Sequence, residues 1–383
     1  MTIAEIQSNE ELRREEFPVV QKGIFLGHAA VAPLPRRVAE AVAHFALNCV
    51  SDDQERILPP TYLAETRALA ARLIGAQADE VALVGPTSLG LSLVATGLRY
   101  RKGDNILVYQ DDYPSNVYPW MALAEKGVQV RFLNIRELGR IRTIDIVGQV
   151  DEQTRLVAIA SCHFVSGWRI EVEAIGRMLQ ERRIPLCIDG IQTLGAFPTP
   201  ASSYDFLAAD AHKWLLGPCG AGILYVRKSL QDALRPTIHG WHNVKSPNFL
   251  TADKIEFRPD ARRYEAGSAS LLGVVGLRAS LELILSVGVE DIAADLLRKR
   301  ALLVPALQAK GYTVLQAGAP AANSSGIVSF HRPGEDSAAI HQKLAEAGVT
   351  TSLRGDRAGN RYIRLSPHFY NTDAELQQVL ALL

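Results

Sequence analysis

Cysteine is scarce in this chain of 383 residues: there are four, Cys49, Cys162, Cys187 and Cys219. They lie far apart with no CxxC spacing, which excludes a disulfide framework and a zinc ribbon. Three stand in or beside apolar segments, where a thiol acts as a small hydrophobe. None follows Cys219. Net charge is missing as well. Basic and acidic residues balance at 41 each, so the chain has no nucleic-acid or anionic-membrane footprint, and any anion site must be local. No apolar run is long enough to span a membrane. The N-terminal ELRREE (11–16) leaves no room for a signal-peptide core, so the expected location is the cytoplasm. Internal repeats and low-complexity tracts are absent. The turn GPCGAG (217–222) lacks the GK[ST] ending of a P-loop, and no GxGxxG opens a helix after a strand. These absences weigh against a nucleotide-binding protein.

What is present is a regular alternation. Apolar strand candidates occur at Val81–Val84, Asn105–Tyr109, Val128–Leu133, Leu156–Ser161, Pro185–Ile188, Phe206–Ala209 and Gly222–Val226, with helical stretches or glycine turns between most of them. That pattern predicts an α/β fold with a mainly parallel sheet. Helical periodicity marks 35–50 and 62–73, and residues 1–20 read as an amphipathic helix leading into an extended FPVV. Phe25 to Pro35 is an irregular small-residue segment suited to lining a site. The stretch 243–270 is polar and loop-like, and Leu271–Val287 reads as a long helix. Beyond it a smaller α+β unit follows: a helix, strands GYTVL and GIVSF, a helix at 338–347, strand RYIRLS and a helix at 373–382. The expected division is a large domain over 21–285 and a small C-terminal domain over 286–383, with 1–20 packed on the latter.

The segment Asp205 to Val226, DFLAADAHKWLLGPCGAGILYV, places His212-Lys213-Trp214 on a tight bend between two buried strands. Desolvation there disfavours the ammonium of Lys213, and the neutral amine is the form that condenses with carbonyls. The bland alternative is a lysine that snorkels out of the turn. Other polar groups fall at carboxyl ends of strands, where open α/β sheets bind ligands. Thr87 and Ser88 follow the first sheet strand and open an apolar helix, as an anion site or as an N-cap. Asp189 ends the strand before Gly190 and Gln192, and Tyr113 follows the second strand in DDYPSNVYPW. A lysine, a carboxylate, a phosphate cradle and an aromatic plate together match the requirements of pyridoxal phosphate.

The ordered series IDGIQ, AHKWLLGP, EAGS and IRLSPHFYNT resembles the aminotransferase class V family of fold-type I pyridoxal-phosphate enzymes, which includes cysteine desulfurases, selenocysteine lyases and isopenicillin N epimerase. The resemblance runs from about Phe25 to the C-terminus. It implies that Lys213 carries pyridoxal 5'-phosphate, that His212, Thr87 and Ser88 reach its phosphate, and that Asp189 pairs with the ring nitrogen. Gln192 would contact the ring hydroxyl and Tyr113 would stack on the ring, where desulfurases usually have histidine. Ser268 would reach the phosphate of a partner subunit in a homodimer, and Arg364 would grip the carboxylate of a small amino-acid substrate. The chain also departs from the pattern. Asp210 stands where desulfurases place a phosphate-binding serine, and Phe164 replaces an asparagine near the ring. Ser161 and His163 share one face of their strand, so His163 either approaches the site or is a satisfied core histidine.

Desulfurases of the family carry a nucleophilic cysteine on a loop before the carboxylate-binding arginine. The corresponding stretch 348–361, GVTTSLRGDRAGNR, has none, although Thr351, Ser352, Arg354 and Arg357 could hold a second carboxylate or another polar substrate end. Without a positioned thiolate, persulfide-forming desulfuration is disfavoured. The sequence alone therefore favours an aminotransferase, with C–S or C–Se β-elimination and epimerisation as alternatives. A catalytically idle cofactor-binding regulatory homologue is the non-enzyme alternative; no metal is expected.

Overall fold

The computed structural model describes residues 1–245, 250–251 and 253–383. After β1 (Ile24–Phe25), the main sheet is built from β2 (Val81–Val84), β3 (Asn105–Val108), β4 (Gln129–Phe132), β5 (Thr154–Ala160), β6 (Leu186–Asp189), β7 (Phe206–Asp210) and β8 (Gly222–Val226). Their spatial order is β2-β8-β7-β6-β5-β3-β4. Only β8 is reversed, running antiparallel to both β2 and β7, whereas β4, β3, β5, β6 and β7 pair in parallel. This is the α/β fold expected, with strand ends displaced by one or two residues. β6, β7 and β8 are buried at every position, as continuous apolar runs must be when helices cover both sheet faces.

Helix Thr87–Gly97 crosses β7 closely: a Cβ on Gly90 would lie 2.7 Å from the Ala208 Cβ. Only glycine permits that approach, and it brings the start of the helix to the ends of β7 and β2. Helix Leu271–Val287 has the limits expected and packs on helices Arg36–Asn48 and Tyr62–Ile74. Among the described residues no single helix is long and apolar enough to cross a membrane.

A second sheet is formed by β9 (Thr313–Val314), β10 (Val328–His331), β12 (Ser352–Gly355) and β13 (Arg361–Leu365), in the order β12-β13-β10-β9. β11 (Val349–Thr350) pairs in parallel with β1. The stretch 348–361, expected as a loop, is thus half strand. β11 gains its ladder from the distant β1, whereas β12 pairs with β13 in a hairpin whose mostly polar residues carry no apolar alternation to announce it. The N-terminal helix is also different. It breaks at Asn9, whose side chain caps a second helix by accepting from the Leu12 N–H. FPVV is a 3-10 turn, not extended: the fixed φ of Pro18 opens it and the Val20 N–H closes on Phe17 O. Phe17 then stacks on Tyr370, centroids 4.2 Å apart, while Arg13 pairs with Glu375 at 2.7 Å. Part of the loop-like stretch 243–270, namely 246–249 and 252, lies outside the described residues. The rest holds a 3-10 turn at Ala261–Tyr264.

Candidate active site

Lys213, Asp189, Gln192, Thr87, Ser88, Tyr113, Asp210, His212 and Arg364 all line one cavity of about 250 Å³. β2, β3, β6 and β7 deliver most of them, because parallel strands end at the same edge of the sheet. β13 of the second sheet supplies Arg364. The small-residue segment after Phe25 contributes a wall through Ala29, Ala30 and Val31.

Lys213 is 7% exposed, and its amine makes no hydrogen bond or ion pair among the described residues. Its Nζ lies 5.3 Å from the Tyr113 ring centroid. Burial lowers its pKa to about 8, against the opposing pull of Asp189. The turn that carries it is strained: Leu216 has a φ of 60°, a left-handed conformation that a leucine avoids. Asp189 is 2% exposed, and among the described residues its carboxylate accepts one hydrogen bond, from the Ile191 N–H to Oδ1 at 3.0 Å. Burial raises its pKa and Lys213 lowers it. Its free oxygen suits a cationic ring nitrogen.

No side chain caps helix Thr87–Gly97, whose N-cap residue is Pro86. The capping alternative for Thr87 and Ser88 is thereby set aside, and the leading N–H groups remain open to an anion. Thr87 Oγ1 accepts from the Asp210 N–H at 2.9 Å, which leaves its own proton free to donate. Asp210 itself is occupied. Its carboxylate accepts from the Ala211 N–H at 2.7 Å and the Gly220 N–H at 3.0 Å, and it lies 3.2 Å from His212 Nδ1, off the line of a hydrogen bond. Both a carboxylate and a phosphate only accept, so the structure makes Asp210 a brace for the β7–β8 turn in place of the phosphate ligand that a serine would be. Gln192 likewise uses both ends of its amide, on Ala29 O at 3.0 Å and on the Trp214 indole N–H at 2.8 Å.

Arg364 is 1% exposed. Its Nη1 donates to Phe164 O at 2.6 Å and its Nη2 to Ser352 Oγ at 3.3 Å, while Nε is buried without a partner. An orphaned guanidinium N–H facing a cavity suits a carboxylate. Arg354 was only a loop candidate in the sequence. The β12–β13 register pairs Ser352 with Arg364 and Arg354 with Tyr362, so strand alternation sets Ser352, Arg354 and Arg364 on one face. Arg354 therefore also lines the cavity, and it has no ion pair among the described residues.

Several residues fall elsewhere. Strand β5 ends at Ala160, so Ser161 and His163 do not extend it. The Ser166 N–H donates to His163 Nδ1 at 3.0 Å, and Nε2–H then donates to Asp111 O at 2.9 Å. His163 is a satisfied core residue. Ser268 is exposed and lines a separate cavity of about 270 Å³. Within that EAGS motif the buried residue is Glu265, which accepts from Arg67 Nε at 2.9 Å and from the Leu83 N–H at 2.8 Å. Sequence reasoning missed Asp112. It is 7% exposed and accepts from the Tyr113 and Ala160 N–H groups, tying the Tyr113 loop to the end of β5. Burial, and then Asp189, raise its pKa to about 7. Its adjacency to Tyr113 was the available signal, hidden by a second aspartate beside it.

The residues present fit pyridoxal phosphate: an unpaired buried amine, a buried carboxylate with a free oxygen, an open helix start with hydroxyls, and an orphaned guanidinium. The family model for Aminotransferase class-V matches residues 24–379. A probable cysteine desulfurase of Methanothermobacter thermautotrophicus is 28% identical over 389 residues, covering 96% of this chain and 95% of that protein. The apo cysteine desulfurase of Thermococcus onnurineus superposes with a TM-score of 0.86 at 24% identity, over 96% of both chains. The cystine C–S lyase C-DES, in complex with its product cysteine persulfide, superposes with a TM-score of 0.84 at 22% identity, over 95% of this chain and 98% of that one. At such identities the two structures establish the fold, and the family match carries the rest. The chain belongs to the aminotransferase class-V family, with a fold-type I architecture and pyridoxal 5'-phosphate as its cofactor.

Proposed function

We propose that this chain is a C–S β-lyase acting on a small sulfur amino acid with a second anionic end, of which L-cystine is the type. One observation carries the proposal: the cavity holds two guanidiniums, Arg354 and Arg364, without an acidic partner, and no cysteine lines it. Names of relatives support the choice of reaction, since they include cysteine desulfurases and a cystine C–S lyase. Cys162 and Cys187 are buried, and burial raises the pKa of both thiols, so neither is a nucleophile. The half-buried Cys49 and the exposed Cys219 do not line the cavity, so the proposed reaction uses no protein-bound persulfide. The aminotransferase favoured by the sequence alone takes second place on the names of these relatives, since Arg354 would serve a dicarboxylic substrate of either reaction.

In the proposed mechanism Arg364 Nε and Nη2 hold the substrate α-carboxylate. The buried amine of Lys213, its pKa lowered by burial, takes the α-proton. Asp189 would hold the positive charge of the ring nitrogen, and the N–H groups and hydroxyls of Thr87 and Ser88 would hold the phosphate. When bound, pyridoxal phosphate supplies the electron sink for the carbanion. Loss of the Cα proton and cleavage of the Cβ–S bond release the sulfur as the leaving group. Hydrolysis of the remainder gives pyruvate and ammonia. Arg354 holds the far carboxylate of the leaving half.

The test is incubation of the loaded enzyme with excess L-cystine, L-cysteine or L-aspartate and no keto-acid acceptor. Pyruvate, ammonia and a persulfide in equal amounts from cystine, with the yellow colour regained, is the expected result. Stoichiometric keto acid, with the amino group retained and the yellow colour lost, would establish the aminotransferase.

A further inference from the structure

The motif IRLSPHFYNT carries Arg364, but its later part, SPHFYNT, has no role in the chemistry above. It is nonetheless among the most buried segments of the chain: Ser366, His368, Phe369, Tyr370 and Asn371 are each 0–1% exposed. Polar atoms sealed this deeply must be paired, and their partners show what the segment holds. The Phe369 N–H donates to His368 Nδ1 at 2.8 Å, which leaves Nε2–H to donate to the carbonyl of Trp214 at 2.9 Å. Trp214 directly follows Lys213. Its indole N–H is fixed on Gln192 at 2.8 Å, and the next carbonyl, of Leu215, accepts from the buried hydroxyl of Ser280. His28 locks the motif from the other side. Its Nδ1–H donates to Ser366 O at 2.8 Å, and Nε2 accepts from the Tyr370 hydroxyl at 2.7 Å.

These bonds converge on the strained turn. Leu216 stays left-handed only if its surroundings over-determine it, and its own turn contributes two bonds, from the Leu216 N–H to Lys213 O at 3.1 Å and from the Gly217 N–H to Ala211 O at 2.9 Å. The rest of the restraint comes from outside, through His368 of the small sheet unit, Ser280 of the long helix and Gln192 after β6. We infer that His368 is a positioning residue for Lys213: through the Trp214 carbonyl it clamps the lysine-bearing turn to the C-terminal unit, so that the amine stays aimed into the cavity. Ser280 is the second jaw of the same clamp. This inference rests on Lys213 being the cofactor-bearing residue.

Hydrogen exchange at the Leu216 and Gly217 amides tests it in the full-length protein, with and without cofactor. His368→Ala and Ser280→Ala should each speed exchange at these amides about tenfold, as expected for loss of one net bond. His368→Gln, which keeps an N–H at similar reach, should restore slow exchange. In the loaded enzyme the two alanine variants should lower kcat and leave KM nearly unchanged, because Arg354 and Arg364 are untouched. Unchanged exchange at the turn in Ser280→Ala and in folded His368→Ala would overturn the clamp. So would a uniform rise across the C-terminal unit that the glutamine does not reverse. Should His368→Ala fail to fold, Ser280→Ala and His368→Gln decide the matter. A borohydride label on a lysine other than Lys213 would sink the underlying assignment and leave the exchange result standing.

Discussion

Lys213 Nζ stands 5.3 Å from the centroid of the Tyr113 ring, although the two residues come from strands at different places in the sheet. The ring presents its face to the amine across the space in which a flat cofactor would be stacked. Borohydride reduction of the yellow protein followed by peptide mapping should therefore label Lys213. The exposed Lys102, Lys126 and Lys228 should remain unlabelled. Tyr113→Phe should retain cofactor affinity, and Tyr113→Ala should weaken it about three- to tenfold, the scale of a lost ring contact, by fluorescence titration of the apoprotein. A label on one of the exposed lysines would refute the site.

The two arginines should separate kinetically. Arg364→Ala removes the grip on the α-carboxylate, so KM should rise for every amino acid, on the order of 10- to 100-fold for a charge-assisted pair. Arg354→Ala should raise KM for L-cystine by a similar factor and leave L-cysteine within about twofold. Steady-state kinetics on the two substrates checks this. Equal effects of Arg354→Ala on both would remove it from side-chain recognition.

Acid should destabilise the fold before the surface carboxylates are neutralised. Burial lowers the pKa of His28 to about 3 and of His163 to about 4. Between the ordinary histidine value of 6.5 and these values the unfolded chain binds protons that the folded one refuses. The contribution of these two histidines is thus complete above pH 6.5 and falls as the pH drops through the window, whereas Asp112, raised by burial to about 7, contributes in the opposite sense. For His163 the loss is about 2 kcal/mol by pH 5. Urea unfolding at pH 7, 6 and 5 should show the midpoint falling, with a shallower fall in His163→Gln. An identical slope in the variant would mean that the histidine is charged in the folded state.

Ser268 is exposed and outside the Lys213 cavity of its own chain. Our proposal is a homodimer in which it completes the partner's phosphate site. Mixing Ser268→Ala with Lys213→Ala chains should then regain up to a quarter of wild-type activity per site pair if subunits exchange at random, the order expected for composite sites. A fully active monomer by sedimentation velocity would end the proposal.

Much of this was legible in the residue order. The apolar runs set strands β2 to β8, since burial on both faces needs only a local stretch of such residues. The strand-end positions of Thr87, Tyr113, Asp189 and Lys213 followed once the sheet was parallel. What tertiary structure decided are relationships between residues distant in the chain. The β12–β13 hairpin is local, but that Arg354 lines the cavity formed by β2, β3, β6 and β7 is decided by where the hairpin docks, which GVTTSLRGDRAGNR does not reveal. The carboxylate of Asp210 turned to the Ala211 and Gly220 N–H groups, away from a phosphate role, because the β7–β8 turn brings both donors within reach. His368 meets the Trp214 carbonyl across 154 residues. Periodicity is written along one segment, whereas hydrogen-bond partners and cavity walls are settled only when separate segments fold against each other and every buried polar atom must find a mate.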